Sequence, residues 1–204
     1  MGDGMNGENS GGLFWEVEVY DKNGNLIEKK KGRGNCILYN LMRLLSAMRN
    51  PSDYNNSWQV INTLGNSASI SKVVFDTTNC SWLAPEGADS YGIVVGTGTT
   101  SVSLDDYNLA SQIKNGTGAG QLKYGATEKY DYSEQGSNVV DLGVKRSFTN
   151  NSGSSITINE IGLIAMVGDG NLNYYVLLMR DVISATTVPD GGVVTVTYYV
   201  RFNG

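Results

Sequence analysis

The last third of the sequence consists of apolar, β-branched segments separated by short turns of small polar residues. The segments span residues 138–149, 155–167, 173–183 and 192–202, and the turns read NNSGS, GDGN and TTVPDGG. Such segments are typical of strands, and connections this short favour neighbouring strands that run antiparallel. This part of the chain therefore predicts an antiparallel β-structure, and it constrains the fold more than any other feature.

The same pattern opens the chain. Residues 13–32 predict a β-hairpin, because Trp15, Val17 and Val19 alternate with more polar positions and Asn23-Gly24 suits a type I′ turn. Further strands are expected at 58–64, 71–77 and 91–100. A long loop is expected at 79–89, followed by glycine-rich turns and tyrosines from 114 to 138.

Residues 35–51 predict an amphipathic α-helix that Asn35 caps and Pro51 ends. Its apolar stripe comprises Leu38, Leu41, Leu45 and Met48. The stripe is expected to pack on a sheet, and the alternative is that it binds a partner. A second, short helix is expected at 101–113, with Ser103 as its cap and Asp105 and Asp106 near its positive end.

The composition excludes several classes of function. Histidine is absent, which removes the usual general base and the commonest transition-metal ligand. The net charge of −5 argues against nucleic-acid binding, and the one basic stretch, EKKKGRG at 28–34, is expected to be a solvated hairpin arm or a local contact with an acidic neighbour or nucleic acid. No segment approaches the roughly 18 apolar residues of a membrane span, so no membrane partner is expected.

Cys36 and Cys80 are too few for a zinc site of their own. They could form one disulfide, but the N-terminal residues have no basic and apolar leader, which favours free thiols in a reducing cytoplasm.

No catalytic, cofactor-binding or metal-binding residue is predicted, and an enzyme is not expected. GTGTT at 96–100 resembles a phosphate loop but lacks the lysine that such loops require. LDDYN at 104–108 and GDGN at 168–171 offer oxygen ligands for calcium without the acidic spacing of a calcium loop. Glycoside hydrolysis needs two carboxylates that flank one bond, and two pairs could be considered for it. Asp105–Asp106 is instead expected to lie near a helix cap, and Glu160–Asp181 is expected to be a surface pair across a sheet. The exposed aromatic residues either stack on sugars or belong to a core or a protein contact.

Three stretches in order resemble a group of tailed-virus virion proteins. They are GIVVGTGTTSVSLDDYNLASQI at 92–113, FTNNSGSSITINEIGLIA at 148–165, and LLMRDVI at 177–183 followed by TTVPDGGVVTVTYYVRF at 186–202. The opening hairpin and helix also fit the group, and the similarity covers most of the chain outside 52–90. The resemblance implies a non-enzymatic structural subunit of a phage or archaeal virus particle, assembled in the host cytoplasm.

The expected fold is an antiparallel β-sandwich or jelly-roll-like barrel with one N-terminal helix. Residues 1–12 are expected to form a flexible arm and residues 13–204 a single β-rich domain, with the hairpin and helix at 13–51 and the sandwich at 58–204. The expected partners are copies of itself, as a homo-oligomer, and other virion proteins. The alternative function is a carbohydrate-binding or host-adhesion module of a fibre.

Overall fold

The computed structural model describes residues 11–34, 37–49, 58–70, 80–133, 138–168 and 172–203, and these residues contain eleven strands and one helix. The strands are β1 Gly12–Tyr20, β2 Leu26–Arg33, β3 Trp58–Ile61, β4 Ser67–Ile70, β5 Cys80–Ser81, β6 Gly92–Gly96, β7 Lys123–Ser133, β8 Val139–Thr149, β9 Ile156–Gly168, β10 Asn173–Val188 and β11 Val193–Asn203. Helix α1 spans Tyr39–Arg49. The expectation of a mainly β fold with one N-terminal helix is confirmed.

All of the described strand pairs are antiparallel. A five-stranded sheet has the order β2-β1-β11-β8-β7. A second sheet has the order β10-β9-β5, with β6 also paired to β9, and β3 and β4 form a separate hairpin. The four predicted C-terminal strands are confirmed as β8 to β11, although β10 continues to Val188. The predicted strand at 71–77 lies outside the described residues.

The opening hairpin is confirmed, but its predicted type I′ turn is wrong. In that turn both central residues need a positive φ, whereas here only Gly24, at +82°, has one. The loop is longer: the Gly24 N–H donates to the Asp21 carbonyl at 3.0 Å, and the Asp21 N–H donates to the Asn25 carbonyl at 2.9 Å. The Asp21 carboxylate accepts the N–H groups of Asn23 and Asn25, which stabilises this wider loop.

The first and last strands of the fold are neighbours. Gly12 lies opposite Arg201, and the pairing continues without interruption to Tyr20 opposite Val193. Both ends of the described chain therefore leave the five-stranded sheet at the same end. Gly12, which was assigned to the flexible arm, already belongs to β1.

Residues of both large sheets contribute to one core cluster. Alternate residues of the five-stranded sheet, such as Val17, Val196 and Phe148, are fully buried in one cluster with Ile158 and Ile161 of β9. Each such side chain contributes about 1.5–3 kcal/mol when it is removed from water. This burial explains why the apolar residues of these strands alternate with polar ones.

Helix α1 packs on the smaller sheet in a different rotation from the one predicted. Of the predicted stripe, Leu38 is buried and Leu41 partly buried, but Leu45 is 48% exposed, whereas Leu44, outside the predicted stripe, is buried. Asn40 explains the rotation: it is buried, its Oδ1 accepts the Ile61 N–H at 3.0 Å and its Nδ2 donates to the Ile61 carbonyl at 2.9 Å. Asn35, Pro51 and the side chain of Met48 lie outside the described residues.

The predicted helix at 101–113 is wrong. This segment is irregular, with a turn in which the Asp106 N–H donates to the Ser103 carbonyl at 3.0 Å and an isolated bridge from Gln112 to Gly96. Strand β7 and the two-residue β5 were also missed, in regions expected to be turns and a loop.

Candidate functional site

Three of the motifs that carry the resemblance meet in one buried ion network. Asp106 comes from DDYNLA, Glu160 from NEIGL and Arg180 from the R-D strand. Arg180 donates from Nη1 to Asp106 Oδ2 at 2.7 Å and from Nε to Glu160 Oε2 at 2.9 Å, and its Nη2 also lies 2.9 Å from Glu160 Oε2. The exposed fractions of Glu160 and Arg180 are 0% and 2%. The motifs therefore mark a structural centre of the fold.

The GTGTT loop binds a carboxylate of its own chain. Glu160 Oε1 accepts the N–H groups of Gly98 at 3.0 Å and Ser111 at 2.7 Å, and Oε2 accepts the Ala110 N–H at 3.0 Å. The Thr100 carbonyl accepts from Arg180 Nη2 at 3.0 Å. Because these bonds hold the backbone of 97–112 against β9 and β10, the segment does not form a helix.

The two glycines of GTG make room for this carboxylate. A Cβ atom on Gly96 would lie 2.5 Å from Glu160 Oε1, and one on Gly98 would lie closer still. Distances this short are below van der Waals contact, so any larger residue would displace the carboxylate. The loop does bind an anion as a phosphate loop would, but the anion is Glu160.

The buried positive charge of Arg180 is compensated by the carboxylates of Asp106 and Glu160. Burial acts to lower the pKa of Arg180, but the hydrogen bonds to Asp106 and Glu160 outweigh burial and raise that pKa above its usual value. The carboxylates of Asp106 and Glu160 are occupied by Arg180, and no ring of metal ligands exists among the described residues. Residues 169–171 of the GDGN stretch lie outside them.

Glu160 and Asp181 do not form the pair of carboxylates that glycoside hydrolysis requires. In the β9–β10 register Glu160 lies opposite Val182 and Asp181 opposite Ile161, so the two carboxylates point to opposite faces of the sheet. Asp181 is buried and accepts the Tyr198 hydroxyl at 3.0 Å. Two carboxylates on opposite faces do not flank one glycosidic bond.

A second buried cation, Arg146, went unnoticed in the sequence. Its N–H groups donate to the carbonyls of Pro85, Ala88, Tyr91, Ile93 and Gly125 at 2.6–3.2 Å. Its guanidinium carbon lies 4.7 Å from the ring centre of Tyr124 and 5.8 Å from that of Phe148. Burial lowers the pKa of Arg146 to about 10. Its burial could have been predicted from the sequence, because Arg146 alternates with the apolar Val144 and Phe148 and therefore shares the inner face of β8.

The outer side of α1 exposes apolar residues. Tyr39, Met42 and Leu45 follow one another at intervals of three and are 46–53% exposed. Leu104, also half exposed, lies beside them, since its carbonyl accepts the Tyr39 N–H at 3.1 Å. A groove of about 300 Å³ lies between Tyr39, Met42, Arg43 and Ser46. We call Tyr39, Met42, Leu45 and Leu104 the helix surface.

A second apolar groove is lined by residues of both large sheets. It has a volume of about 440 Å³, and Leu13, Trp82, Leu142 and Val200 lie along it. Leu142 is half exposed although it shares the inner face of β8 with Val144. The apolar face of the five-stranded sheet thus extends beyond the layer that covers it.

Two further sequence predictions concern the basic stretch and the cysteines. The basic stretch is the edge strand β2, as expected of a hairpin arm. Lys30 Nζ bridges to β10, where it donates to the Ala185 carbonyl at 2.6 Å. Cys36 and the side chain of Cys80 lie outside the described part of the structure, so their free state stays a prediction. In the described residues α1 is the single helix, and it is too short to cross a membrane.

Comparisons with protein-family models, with curated proteins and with solved structures found no match to this chain.

Proposed function

We propose that this chain is a non-enzymatic structural subunit of a tailed-virus particle, which assembles in many copies beside itself and other virion proteins. The observation that carries the assembly role is the helix surface. The order of motifs in the sequence supports the choice of a virus particle and of the virion as its location.

The helix surface has the character of a protein contact. Soluble monomers rarely expose contiguous apolar patches, and large ones mark interaction sites. The inner positions Leu38 and Leu44 already anchor the helix to the fold, so Met42 and Leu45 add nothing to its core packing. A second protein that covers these residues would gain the free energy that their burial makes available.

The buried networks support this role because they hold the surroundings of the surface in one shape. Leu104 belongs to the segment that Glu160 and Arg180 fix, and Asn40 fixes the rotation of the helix itself. A contact between preformed surfaces loses less conformational entropy on association. Repetition of one such contact in a closed assembly makes a weak interaction effective.

Strand addition at the sheet edges is less favoured. The edge strand β2 carries Lys29, Lys30 and Lys31, and charged lysines on an edge oppose pairing with another strand. Lys30 also occupies the carbonyls of Ser184 and Ala185 along β10. Residues 1–10 lie outside the described part of the chain, so their role as an arm across a neighbour stays a prediction.

The finer architecture that we propose is a jelly-roll-like β-sandwich. The shared core cluster between the five-stranded sheet and the β9–β10 sheet supports two packed layers. The open groove at Leu142 and Val200 is the end at which the layers part.

Sedimentation velocity over a range of concentrations tests the assembly role. We expect the chain to associate, and Met42→Glu combined with Leu45→Glu to leave it a folded monomer. Leu64→Glu is the matched control, because Leu64 is 81% exposed on the β3–β4 turn and lies outside the helix surface. Association that survives the double change, or a chain that stays monomeric throughout, would contradict the proposal.

Mass spectrometry of density-purified particles from the source virus tests the virion assignment, which fails if the chain is missing from them.

A further inference from the structure

The outer face of the five-stranded sheet forms a trough because short side chains lie in its centre and long ones at its flanks. Thr195 and Thr197 of β11 and Ser147 of β8 form the floor. In register, Glu18 lies opposite Thr195, which lies opposite Ser147. The trough has a volume of about 720 Å³.

The walls of the trough carry paired charges, in which Lys29 and Lys145 neutralise most of the negative charge of three glutamates. On the β1 side, Lys29 Nζ lies 2.9 Å from Glu16 Oε1 and 2.9 Å from Glu18 Oε1. On the β7 side, Lys145 Nζ lies 3.5 Å from Glu128 Oε2. The trough therefore has no excess of positive charge for a phosphate, and its acids already have a cation.

Tyrosine rings stand at the two ends. Tyr20 follows Glu18 on the same face of β1, and its hydroxyl donates to Glu18 Oε2 at 2.9 Å. Tyr130 lies at the other end, with its ring centre 5.8 Å from that of Tyr199. Gly143, between Tyr199 and Tyr130 in the register, has no side chain to separate the two rings. Both end tyrosines keep part of their surface open to solvent.

The floor offers hydroxyl groups with hydrogen-bonding capacity to spare. Ser147 Oγ and Thr195 Oγ1 lie 2.9 Å apart, so one donates to the other. A hydroxyl has one donor and two acceptor positions, which leaves the pair with a free donor and free acceptors. Glu16 and Glu18 add carboxylate oxygens that accept from further hydroxyls.

We propose that this trough binds a neutral oligosaccharide. A chain of sugar rings presents hydroxyls to the floor and walls and apolar C–H faces to the tyrosines, which combine an apolar ring with a polar tip. The lack of a positive excess on the walls favours a neutral ligand over a nucleic acid, and the polar floor disfavours a lipid or an apolar helix. Along the strands the trough covers four rows of side chains, from the Tyr20 row to the Tyr130 row, which is about 20 Å and long enough for several sugar rings.

The inference is independent of the proposed assembly role, because the trough and the helix surface use different residues. It gives a physical site to the carbohydrate-binding function that the sequence left as its alternative. A virion subunit with such a trough would contact surface glycans of a host cell.

The test begins with an array of neutral glucan, mannan, galactan and N-acetylglucosamine oligosaccharides, probed with the full chain. Calorimetric titration of the best-retained oligosaccharide then compares the wild type with Thr195→Trp, which fills the floor, and Tyr130→Ala, which removes a ring. We expect binding to weaken about tenfold or more in each variant, as the loss of a ring contact or of the floor implies.

Tyr107→Ala is the matched control, since Tyr107 is an exposed tyrosine outside the trough. We expect it, and the double change at Met42 and Leu45, to bind the oligosaccharide as the wild type does. Thermal melting verifies that each variant is folded. If Thr195→Trp does not fold, the test rests on Tyr130→Ala. The proposal is overturned if the array retains no oligosaccharide, or if Tyr130→Ala binds with unchanged affinity.

Discussion

Arg180 lies opposite Gly162 in the β9–β10 ladder, one same-face position beyond Glu160, and its guanidinium reaches back to the Glu160 carboxylate at 2.9 Å. Residue 162 is a glycine, which leaves space above the sheet for the segment that crosses it. Leu109 of that segment would be 2.6 Å from a Cβ atom at this position. The register of two strands thus determines where the 97–112 segment can dock.

Replacing Glu160 by Gln should lower the free energy of unfolding by about 3 kcal/mol, because it leaves the buried Arg180 with Asp106 as its remaining carboxylate. Urea unfolding measures the loss. Hydrogen exchange of the Gly98, Ala110 and Ser111 amides should accelerate in the same variant. Glu86→Gln is the control: its pair with Lys123 is exposed, so melting should not change measurably. Equal effects at the two positions would show that the buried network does not stabilise the fold.

Replacing Arg146 by Met should lower the free energy of unfolding by about 3 kcal/mol or more, because buried carbonyls lose their donors. Arg146→Lys should not restore stability, since an ammonium has three donors in place of the five of a guanidinium. Lys145→Met, one residue away on the other face of β8, is the control and should melt close to the wild type. A fully stable lysine variant would mean that charge alone, rather than the fork of donors, holds the 85–93 loop.

The rotation of α1 predicts opposite outcomes for adjacent leucines. Leu44→Ala should cost about 3 kcal/mol, because a buried leucine leaves a cavity when truncated. Leu45→Ala should change stability by less than about 0.5 kcal/mol, as exposed substitutions do. Chemical denaturation of both variants as monomers gives the answer. A larger loss of stability for Leu45→Ala than for Leu44→Ala would mean that the helix packs through the stripe predicted from the sequence.

Buried tyrosines should make the fold sensitive to alkali. Burial raises the pKa of Tyr124 to about 12, and burial with the nearby Asp181 raises that of Tyr198 well above its usual value. An unfolded tyrosine ionises near pH 10, so above that pH the unfolded chain loses protons that the folded chain keeps. Stability is therefore fully present below about pH 10 and falls as the pH rises towards 12.

Tyr124→Phe isolates one of these contributions. Between about pH 9 and pH 11 the variant should lose about 1 kcal/mol less stability than the wild type, since phenylalanine does not titrate. Tyr107→Phe, at an exposed position, should follow the wild-type profile. Identical pH profiles for all three proteins would mean that Tyr124 ionises equally in the folded and unfolded states.

Local sequence patterns were sufficient for the four C-terminal strands and for the opening hairpin. Val17 and Val19 or Ile156 and Ile158 alternate with polar neighbours, and alternation depends only on the pleat of a strand. Strand β7 was missed because its buried positions, such as Tyr124 and Thr127, are separated by a register shift that breaks the alternation.

Contacts from distant residues could not be predicted. The 101–113 segment has helix-capping residues, but Glu160, about fifty positions away, accepts its N–H groups at Ala110 and Ser111. The rotation of α1 depends on Asn40 and the distant Ile61. The ion network itself was visible only as a fixed order of short motifs, because sequence order does not show which charged residues meet in space.

The pairing of Gly12 with Arg201 brings the two ends of the described part of the chain together, with roughly 5 Å between the paired residues. A domain fused before Gly12 and one fused after Asn203 would be displayed from the same corner of the molecule. The two ends could also be joined by a short linker and the chain reopened at the Asp21–Asn25 loop, which would give a circular permutant with every strand pair preserved. A pulling force applied between the ends would act on the β1–β11 hydrogen bonds one pair at a time, from this corner inward.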